Sequence, residues 1–546
     1  MTQDLDKRID ELISHFKADG YTVDREMDIV TVDEQIGMRA THKTATIGST
    51  NNKKKVYYIE GSPKQMGYMM GRLANEEIYR MCKNFVPNIF YNYLGNIAGE
   101  MGEDFRKRTL ETVLDFGYWL SRPIKQDVPM EYLEELEGIM DGCNDTSTAV
   151  YWKELWLLNV GFDAMLSVGY TGKLPLKKEF PLNLDPNKFN IPVMCNGFCV
   201  SGSESKDYFY MGRDFQFSNG KVFQDVATMI IRKPDNGPPS VSVAAPGMVG
   251  TITGLNSKGI GIGVDMLPAC NCNVYRPGLN SLLLTRYALD KGETCEKAAE
   301  IIKTARRGVS WLYIVGDGGK DRSCVVETGM TPEDKEEPIP LSKWAGQILK
   351  DYDQLIAESK KQFQNGVCLR TNNYQYPTTE YFKINERLMT GYKLNLDPNY
   401  NHQFNLEDFS EKGSFKECPG PYYFAPQREV KDNMVLVTNH SIQPYMRMLS
   451  MTDWIYFIAK ERFDDIQSRY DKLNLALLEV LEKGYITYEE AKKIISTGSS
   501  LLNNQDNQEI GGAKSIMDLK KLTIESHYGY DSDQWIKLDL NNYISA

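Results

Sequence analysis

Two apolar, aromatic runs separated by a polar turn constrain this chain more than any other feature. The first run, over 194–202, reads Met-Cys-Asn-Gly-Phe-Cys-Val-Ser-Gly, and the second, over 208–217, reads Tyr-Phe-Tyr-Met-Gly-Arg-Asp-Phe-Gln-Phe. Runs of this composition around a polar segment predict an antiparallel strand pair. The pair would bring Cys199 beside Arg213 and Asp214, so that a thiol, a guanidinium and a carboxylate share one strand end.

A buried cysteine in a strand usually serves only packing. Here, however, Cys199 is followed on the next strand by Gly-Arg-Asp-aromatic, and this pattern resembles the N-terminal-nucleophile (Ntn) hydrolases. It is most similar to the acyl-coenzyme A:6-aminopenicillanic acid acyltransferase family, the C45-type peptidases. The resemblance implies an α+β fold, a four-layer αββα sandwich with two packed antiparallel sheets.

The same resemblance implies a precursor that cuts its own chain between Phe198 and Cys199. The products would be a mostly helical chain, 1–198, and a catalytic chain, 199–546, with an insertion at about 330–430, and the two would stay associated. The freed α-amino group of Cys199, with a pKa of about 7.7–8.0, would deprotonate a thiol whose own pKa is about 8.5. Such a site needs no histidine, which suits a chain with five histidines, none within fifty residues of Cys199.

Further stretches resemble the family in the same order, from about Val56 to about Leu473. They are the glycine-rich hairpin around Asn256, a second hairpin that ends at Glu327, the Thr-Asn-His that contains Asn439, and a Ser-Arg-Tyr helix start at 468–470. The residues themselves predict the two hairpins, because glycine, asparagine and aspartate favour tight turns between strands.

Carried over by this resemblance, Cys199 is the nucleophile and Arg213 the site arginine, with a structural ion pair as the other interpretation of Arg213. Asp214 occupies a position where relatives have an amide, and Asp265 one where relatives often have an oxyanion-donating Asn. An ionised carboxylate cannot donate a hydrogen bond, so Asp265 would be protonated, turned away or paired with an ammonium group. Asn439 is the predicted amide donor, with Asn372 as its rival and a structural role open for both.

Composition excludes several classes of function. A net charge of −11 argues against nucleic acid as a partner, and no apolar run reaches the length of a membrane span. The polar first residues do not form a secretory signal, so the sequence predicts a cytoplasmic protein unless a signal has been removed. Ten cysteines in so long a chain do not indicate a disulfide framework, their spacings are not those of a zinc site, and no phosphate-binding glycine loop is present, so neither a metal nor a cofactor is expected.

Element by element, the sequence predicts helices over 1–20, from Pro63 onward, over 74–145 and over 474–498. Strands are predicted at 56–59, 226–232 and 240–245, besides the two hairpins, and 165–193 is predicted to be a loop.

The predicted function is hydrolysis or acyl transfer at a linear N-acyl amide or small peptide-like amide, through a thioester on Cys199. Two alternatives remain open: a lipid-directed amidase or phospholipase B-like hydrolase, and a non-catalytic binding protein on the same fold. A homo-oligomer is also left open.

Overall fold

The structure, a computed structural model, describes most of the chain. The described residues are 3–47, 52–97, 103–171, 195–202, 206–218, 220, 222–267, 269, 271–332, 357, 361–371, 433–443, 446, 469–470, 472–498, 510–528 and 534–544.

Eight of the labelled helices lie within residues 3–171, and the others lie between or after the later strands. They are α1 (Gln3–Ala18), α2 (Pro63–Leu73), α3 (Asn75–Arg80), α4 (Val86–Ile97), α5 (Glu103–Ser121), α6 (Met130–Asn144), α7 (Trp152–Trp156), α8 (Phe162–Thr171), α9 (Phe223–Val226), α10 (Ser281–Lys291), α11 (Cys295–Thr304), α12 (Tyr488–Gly498) and α13 (Asn541–Ile544), with an unlabelled helix over 472–481.

The described strands form two sheets. Sheet A contains β1 (Tyr21–Thr22), β2 (Ile29–Val32), β3 (Gln35–Thr46), β4 (Lys53–Gly61), β7 (Thr228–Pro234), β8 (Ser240–Ala244), β9 (Thr253–Asn256), β10 (Ile260–Met266), β11 (Trp311–Asp317), β12 (Arg322–Thr328) and β13 (Val367–Thr371). Sheet B contains β5 (Asn196–Ser201), β6 (Phe209–Ser218), β14 (Met434–Thr438), β15 (Ile510–Asp518), β16 (Thr523–Tyr528) and β17 (Ile536–Asp539), in the order β14-β5-β6-β15-β16-β17. The pairs are antiparallel except β4 with β7, which is parallel.

The two sheets face each other, with β5 against β11 and β6 against β10. Helices α10 and α11 cover the outer face of sheet A, and α12 with the helix over 472–481 covers the outer face of sheet B. These layers confirm the predicted four-layer αββα arrangement.

Strand β5 shows how alternation divides the core. Phe198 and Val200 belong to the apolar cluster between sheet B and its helices, which includes Ile495, whereas Cys199 belongs to the cluster between the sheets. Successive side chains of a strand point to opposite faces, so the period of two places every second residue of β5 and β6 in the inter-sheet layer.

Most predicted elements are confirmed. Helix α1 buries Leu5, Ile9, Leu12 and Phe16 on one face, and Ser62 caps α2 with Pro63 as its first residue. Both hairpins form, as β9–β10 and β11–β12.

Two predictions about the first third of the chain were wrong or incomplete. Residues up to 171 are helical as part of α8, because Ala164, Leu166 and Tyr170 are buried, so the predicted loop cannot begin at 165; the rest of it lies outside the described residues. The N-terminal segment also contributes three strands that were not predicted, β1, β2 and β3, to sheet A. Their polar composition hid them, since β2 and β3 leave several side chains partly exposed. Most of the predicted insertion, 330–430, lies outside the described residues.

Candidate active site

Arg213 is the centre of a polar cluster buried between the two sheets. It lies on β6, an even number of residues from Met211 and Phe215, which belong to the core between the sheets. Its side chain therefore points toward sheet A as theirs do. Two glycines make room for it: a Cβ on Gly263 would lie 2.1 Å from Arg213 Nε, and one on Gly197 would lie 2.6 Å from Nη1. The absence of these two side chains is what allows a guanidinium to lie between packed sheets.

The guanidinium joins the sheets through three oxygens. Its Nη1 donates to Asn196 O at 3.0 Å, and its Nη2 donates to Val264 O at 2.7 Å and to Asp265 Oδ1 at 2.5 Å. Both partners of the Arg213–Asp265 ion pair are fully buried. Burial raises the pKa of Asp265, and the neighbouring Arg213 opposes that rise. The predicted ion pair of Arg213 is therefore present, but with Asp265 rather than Asp214.

Cys195, which immediately precedes β5, lies next to this pair. It is buried, and its Sγ is 3.6 Å from Gln216 O. Burial raises the pKa of its thiol to about 12; the negative charge of Asp265 adds to the rise, whereas Arg213 and Asn439 lower it. Burial is therefore the main cause of the raised pKa of the Cys195 thiol, and the two charges of the ion pair act on it in opposite directions.

The backbone of Cys195 is held at both ends. Its N–H donates to Asn439 Oδ1 at 2.7 Å, and its carbonyl accepts from Arg469 Nη1 at 2.8 Å. Arg469 Nη2 also donates to Asn439 Oδ1 at 3.2 Å, and Asn439 Nδ2 donates to Met266 O at 2.8 Å. Asn439 follows the last residue of β14 and Met266 is the last residue of β10, so Cys195 is fixed where the ends of three strands meet.

A buried carboxylate secures the segment after Asn439. Glu327 on β12 accepts hydrogen bonds from the backbone N–H groups of Ile442 at 3.0 Å and Gln443 at 2.9 Å, and from the Ser441 hydroxyl. Its charge is matched by Arg370, whose Nε donates to it at 2.9 Å. This network connects β12 and β13 of sheet A to the segment that carries Asn439.

Cys199 lies farther from the strand ends, and the hydrogen bonds of Asn439 and Arg469 described above go to Cys195. Cys199 lies in the middle of β5, paired with Met211 on one side and Val435 on the other. Its side chain packs over β11, where a Cβ on Gly316 would lie 3.1 Å from Sγ. Burial raises the pKa of this thiol, and the charge of Arg213 opposes that rise. The predicted cleavage point between Phe198 and Cys199 would therefore cut the centre of a strand that is paired on both sides.

The other predicted residues fall into three places. Arg213, Asp265 and Asn439 surround Cys195, as described above. Asp214 is on the opposite face of β6 from Arg213 and accepts a hydrogen bond from Gln216 at 3.3 Å. Asn256 builds the β9–β10 turn, since its Oδ1 accepts from the N–H groups of Lys258 and Ile260. Asn372 lies outside the described residues.

The sequence patterns do not single out two residues of this cluster. Cys195, one residue before β5, is the first of them, because nothing in the sequence around a cysteine shows which distant residues it contacts. Arg469 was noted only as part of a helix resemblance. The signal that finds both is spatial: they meet Asn439, which is 244 and 30 positions away from them in the chain.

Within the described residues, no cluster of three or more His, Cys, Asp or Glu side chains could hold a metal ion. In the same part of the chain, every helix is too short or too polar to cross a bilayer.

Part of this chain matches a known protein family. Residues 226–392 match the family described as acyl-coenzyme A:6-aminopenicillanic acid acyl-transferase, which confirms the predicted resemblance. The match places the chain among enzymes that cleave amides or transfer acyl groups. An uncharacterised protein of Archaeoglobus fulgidus is 28% identical over 500 residues, covering 90% of this chain and 67% of that protein.

Two solved structures show a remote likeness. One is a mutant of the conjugated bile acid hydrolase from Clostridium perfringens, with 12% identity, a TM-score of 0.33, and 64% of this chain and 93% of that chain covered. The other is the Caenorhabditis elegans orthologue of N-acylethanolamine-hydrolyzing acid amidase, with 9% identity, a TM-score of 0.30, and 60% and 93% covered. Both scores are low, and the four layers of this chain rest on its own strand pairing.

Proposed function

We propose that this protein is a cysteine hydrolase or acyltransferase acting on the carbon–nitrogen bond of amides, with Cys195 as its nucleophile. The observation that carries the proposal is the enclosure of Cys195, whose backbone N–H and carbonyl are held by Asn439 and Arg469 while its thiol lies beside the Arg213–Asp265 pair. The geometry favours Cys195 over Cys199, which is surrounded by paired strands and apolar side chains.

We further propose that the chain is made as a precursor and cut between Met194 and Cys195. A cut at this point makes Cys195, the residue before β5, the new N-terminus. It leaves the pairing of β5 with β6 and β14 intact. The two products would be 1–194 and 195–546. They would stay associated, because β4 of the first product is hydrogen-bonded between β3 and β7 within sheet A.

In the cut protein the backbone nitrogen of Cys195 becomes an α-amino group. Such a group titrates at about 7.7–8.0, so it takes the thiol proton at neutral pH without a histidine. Asn439 Oδ1 already accepts a hydrogen bond from this nitrogen and would orient the amine. Both polar ends of Asn439 are engaged in the uncut chain, so we propose a positioning role for Asn439 in addition to the predicted role as oxyanion donor.

The reaction then follows in two steps. The Cys195 sulfur bonds to the acyl carbon, the carbon–nitrogen bond breaks, and the ammonium group gives its proton to the leaving amine. Water then attacks the thioester and releases the acid and the free thiol, or a second amine takes the acyl group. The cation of Arg213 stabilises the thiolate that attacks, while Asp265 keeps that cation in place.

The test is the N-terminal sequence of the larger fragment from purified wild-type protein. A cut at Met194–Cys195 yields Cys-Asn-Gly-Phe, whereas a cut at Phe198–Cys199 yields Cys-Val-Ser-Gly. We expect the first sequence, no cut in Cys195→Ala, and a normal cut in the matched variant Cys199→Ala.

A fragment that begins Cys-Val-Ser-Gly would identify Cys199 as the nucleophile instead. An uncut chain that neither hydrolyses N-acyl amides nor labels at Cys195 with iodoacetamide would overturn the enzyme proposal in favour of a binding protein. Turnover that rises steeply with acyl-chain length would favour the lipid-directed alternative.

A further inference from the structure

A cavity of about 490 Å³ opens at the other end of β5 from Cys195. Ser201, the last residue of β5, lines it, and so does Leu369 of β13. Charged side chains, among them Lys320 and Arg322, also line it. The cavity is therefore separated from the candidate active site by the length of a six-residue strand, about 20 Å.

Two cysteines line this cavity together. Cys295, the first residue of α11, and Cys324, on β12, have their Sγ atoms 3.4 Å apart. Both are otherwise buried, and neither takes part in the network around Cys195. A disulfide has a sulfur–sulfur distance of about 2.0 Å, so these sulfurs need to approach by only about 1.4 Å.

We propose that Cys295 and Cys324 form an oxidisable pair that closes to a disulfide when a hydroperoxide enters this cavity. In the first step one thiol gives up its proton and its sulfur attacks a peroxide oxygen. The oxygen–oxygen bond breaks, the departing oxygen takes up that proton, and the products are a sulfenic acid and water or an alcohol. In the second step the other thiol gives up its proton, its sulfur attacks the sulfenic sulfur, and the displaced hydroxide takes up the proton and leaves as water. The two thiols are oxidised and one peroxide is reduced, so the step balances.

The surroundings favour this pair over the other described cysteines. Both cysteines line a cavity large enough for a small peroxide, whereas Cys199, which is near Cys295, does not line it. The side-chain hydrogen bond with Cys324 and burial raise the pKa of the Cys295 thiol. We therefore expect the pair to react more slowly than an exposed thiolate and to need excess peroxide.

Closure would have a structural consequence. The bond would join the first turn of α11 to the strand beneath it, across the boundary between the helix layer and sheet A. Because a disulfide restricts the unfolded chain, the oxidised protein should melt at a higher temperature than the reduced one, and a thiol reductant should reverse the difference.

The experiment treats the reduced full-length protein with hydrogen peroxide, blocks the remaining thiols with N-ethylmaleimide, and maps peptides by mass spectrometry without reduction. We expect one cross-linked peptide pair that contains residues 295 and 324, the loss of blocking at both of these positions, and its recovery after dithiothreitol. The cross-link should be absent in Cys295→Ser and in Cys324→Ser, and unchanged in the matched variant Cys143→Ser, which alters another buried cysteine.

Two results would overturn the proposal. One is wild-type protein in which residues 295 and 324 remain fully blockable after prolonged exposure to peroxide. The other is a cross-link that joins Cys295 to Cys199 instead. Because both results come from the wild-type chain, the proposal is tested even if a serine variant fails to fold.

Discussion

The backbone N–H of Cys195 donates to Asn439 Oδ1 at 2.7 Å, although the two residues are 244 positions apart in the chain. This one bond ties the residue before β5 to the residue after β14, and the second polar end of Asn439 ties both to the end of β10. Three strand ends from both sheets are thus fastened around one thiol.

Replacing Asn439 by alanine should slow cleavage before Cys195. The change leaves the buried nitrogen of Cys195, the Met266 carbonyl and the Arg469 guanidinium with one partner fewer each, and a lost partner of this kind costs about 1–3 kcal/mol. We expect a cleavage rate lower by about tenfold or more. A time course of fragment formation on denaturing gels measures it, with Asn542→Ala, on the last short helix, as the control. An unchanged rate would show that Asn439 does not position Cys195.

Replacing Gly263 by alanine should displace Arg213. The added Cβ would lie 2.1 Å from Arg213 Nε, and the guanidinium cannot retreat because Gly197 lies on its other side. Overpacking of this kind costs about 1–3 kcal/mol, and the shifted cation should also impair cleavage. Urea denaturation measures the free energy of unfolding. Gly319→Ala is the matched control, since the nearest atom to its added Cβ would be 3.4 Å away; equal losses in both variants would refute the crowding argument.

Replacing Glu327 by glutamine should loosen the segment after Asn439. The buried Arg370 would lose its charged partner, and breaking a buried pair in this way costs about 3–5 kcal/mol. The comparison variant is Glu296→Gln, whose ion pair with Arg322 is exposed and worth about 0–1 kcal/mol. Thermal and urea unfolding of the two variants should differ clearly, and similar stabilities would contradict a structural role for Glu327.

Asp163 on α8 predicts a pH dependence of stability. It accepts hydrogen bonds from the backbone and hydroxyl of Ser281, and burial raises its pKa from 3.8 to about 7. Between these values the folded chain binds more protons than the unfolded chain, so the contribution of this group to stability is present at low pH and is lost as the pH rises to about 7.

Asp163→Asn removes that titration. We expect the wild type to lose more stability than this variant between about pH 4.5 and about pH 7.5, measured as the urea midpoint at each pH. The control is Asp4→Asn, which changes an exposed carboxylate on α1 and should follow the wild type. A wild type and Asp163→Asn with parallel pH profiles would contradict the prediction.

Much of the fold was predictable because its turns, caps and strands depend on short stretches of sequence. The hairpins β9–β10 and β11–β12 follow from apolar runs around Asn256 and Asp317, which accept the turn N–H groups. The cap of α2 follows from Ser62 and Pro63. Strands β2 and β3 were missed because partly exposed strands at the side of a sheet have no strong apolar run.

The candidate site was predictable in part. The sequence led to Arg213, Asp265 and Asn439, and to the strand pair that brings Arg213 close to a cysteine. It predicted Cys199 rather than Cys195 as the nucleophile, and residue type alone gave no ground to choose the other, since both are buried thiols on one short segment. The distinction depends on which thiol lies at the strand end, and that is set by strand length and pairing rather than by residue type.

The sequence by itself determined the residue types, the alternation that sends Arg213 and Asp214 to opposite faces, and the turns between neighbouring strands, because each of these depends on nearby residues. Only the tertiary structure decided that Arg213 pairs with Asp265, that Asn439 and Arg469 hold Cys195, and that Cys295 meets Cys324 at a cavity. These contacts join residues of different strands, sheets and layers, and they are fixed by how the two sheets pack, which no local pattern encodes.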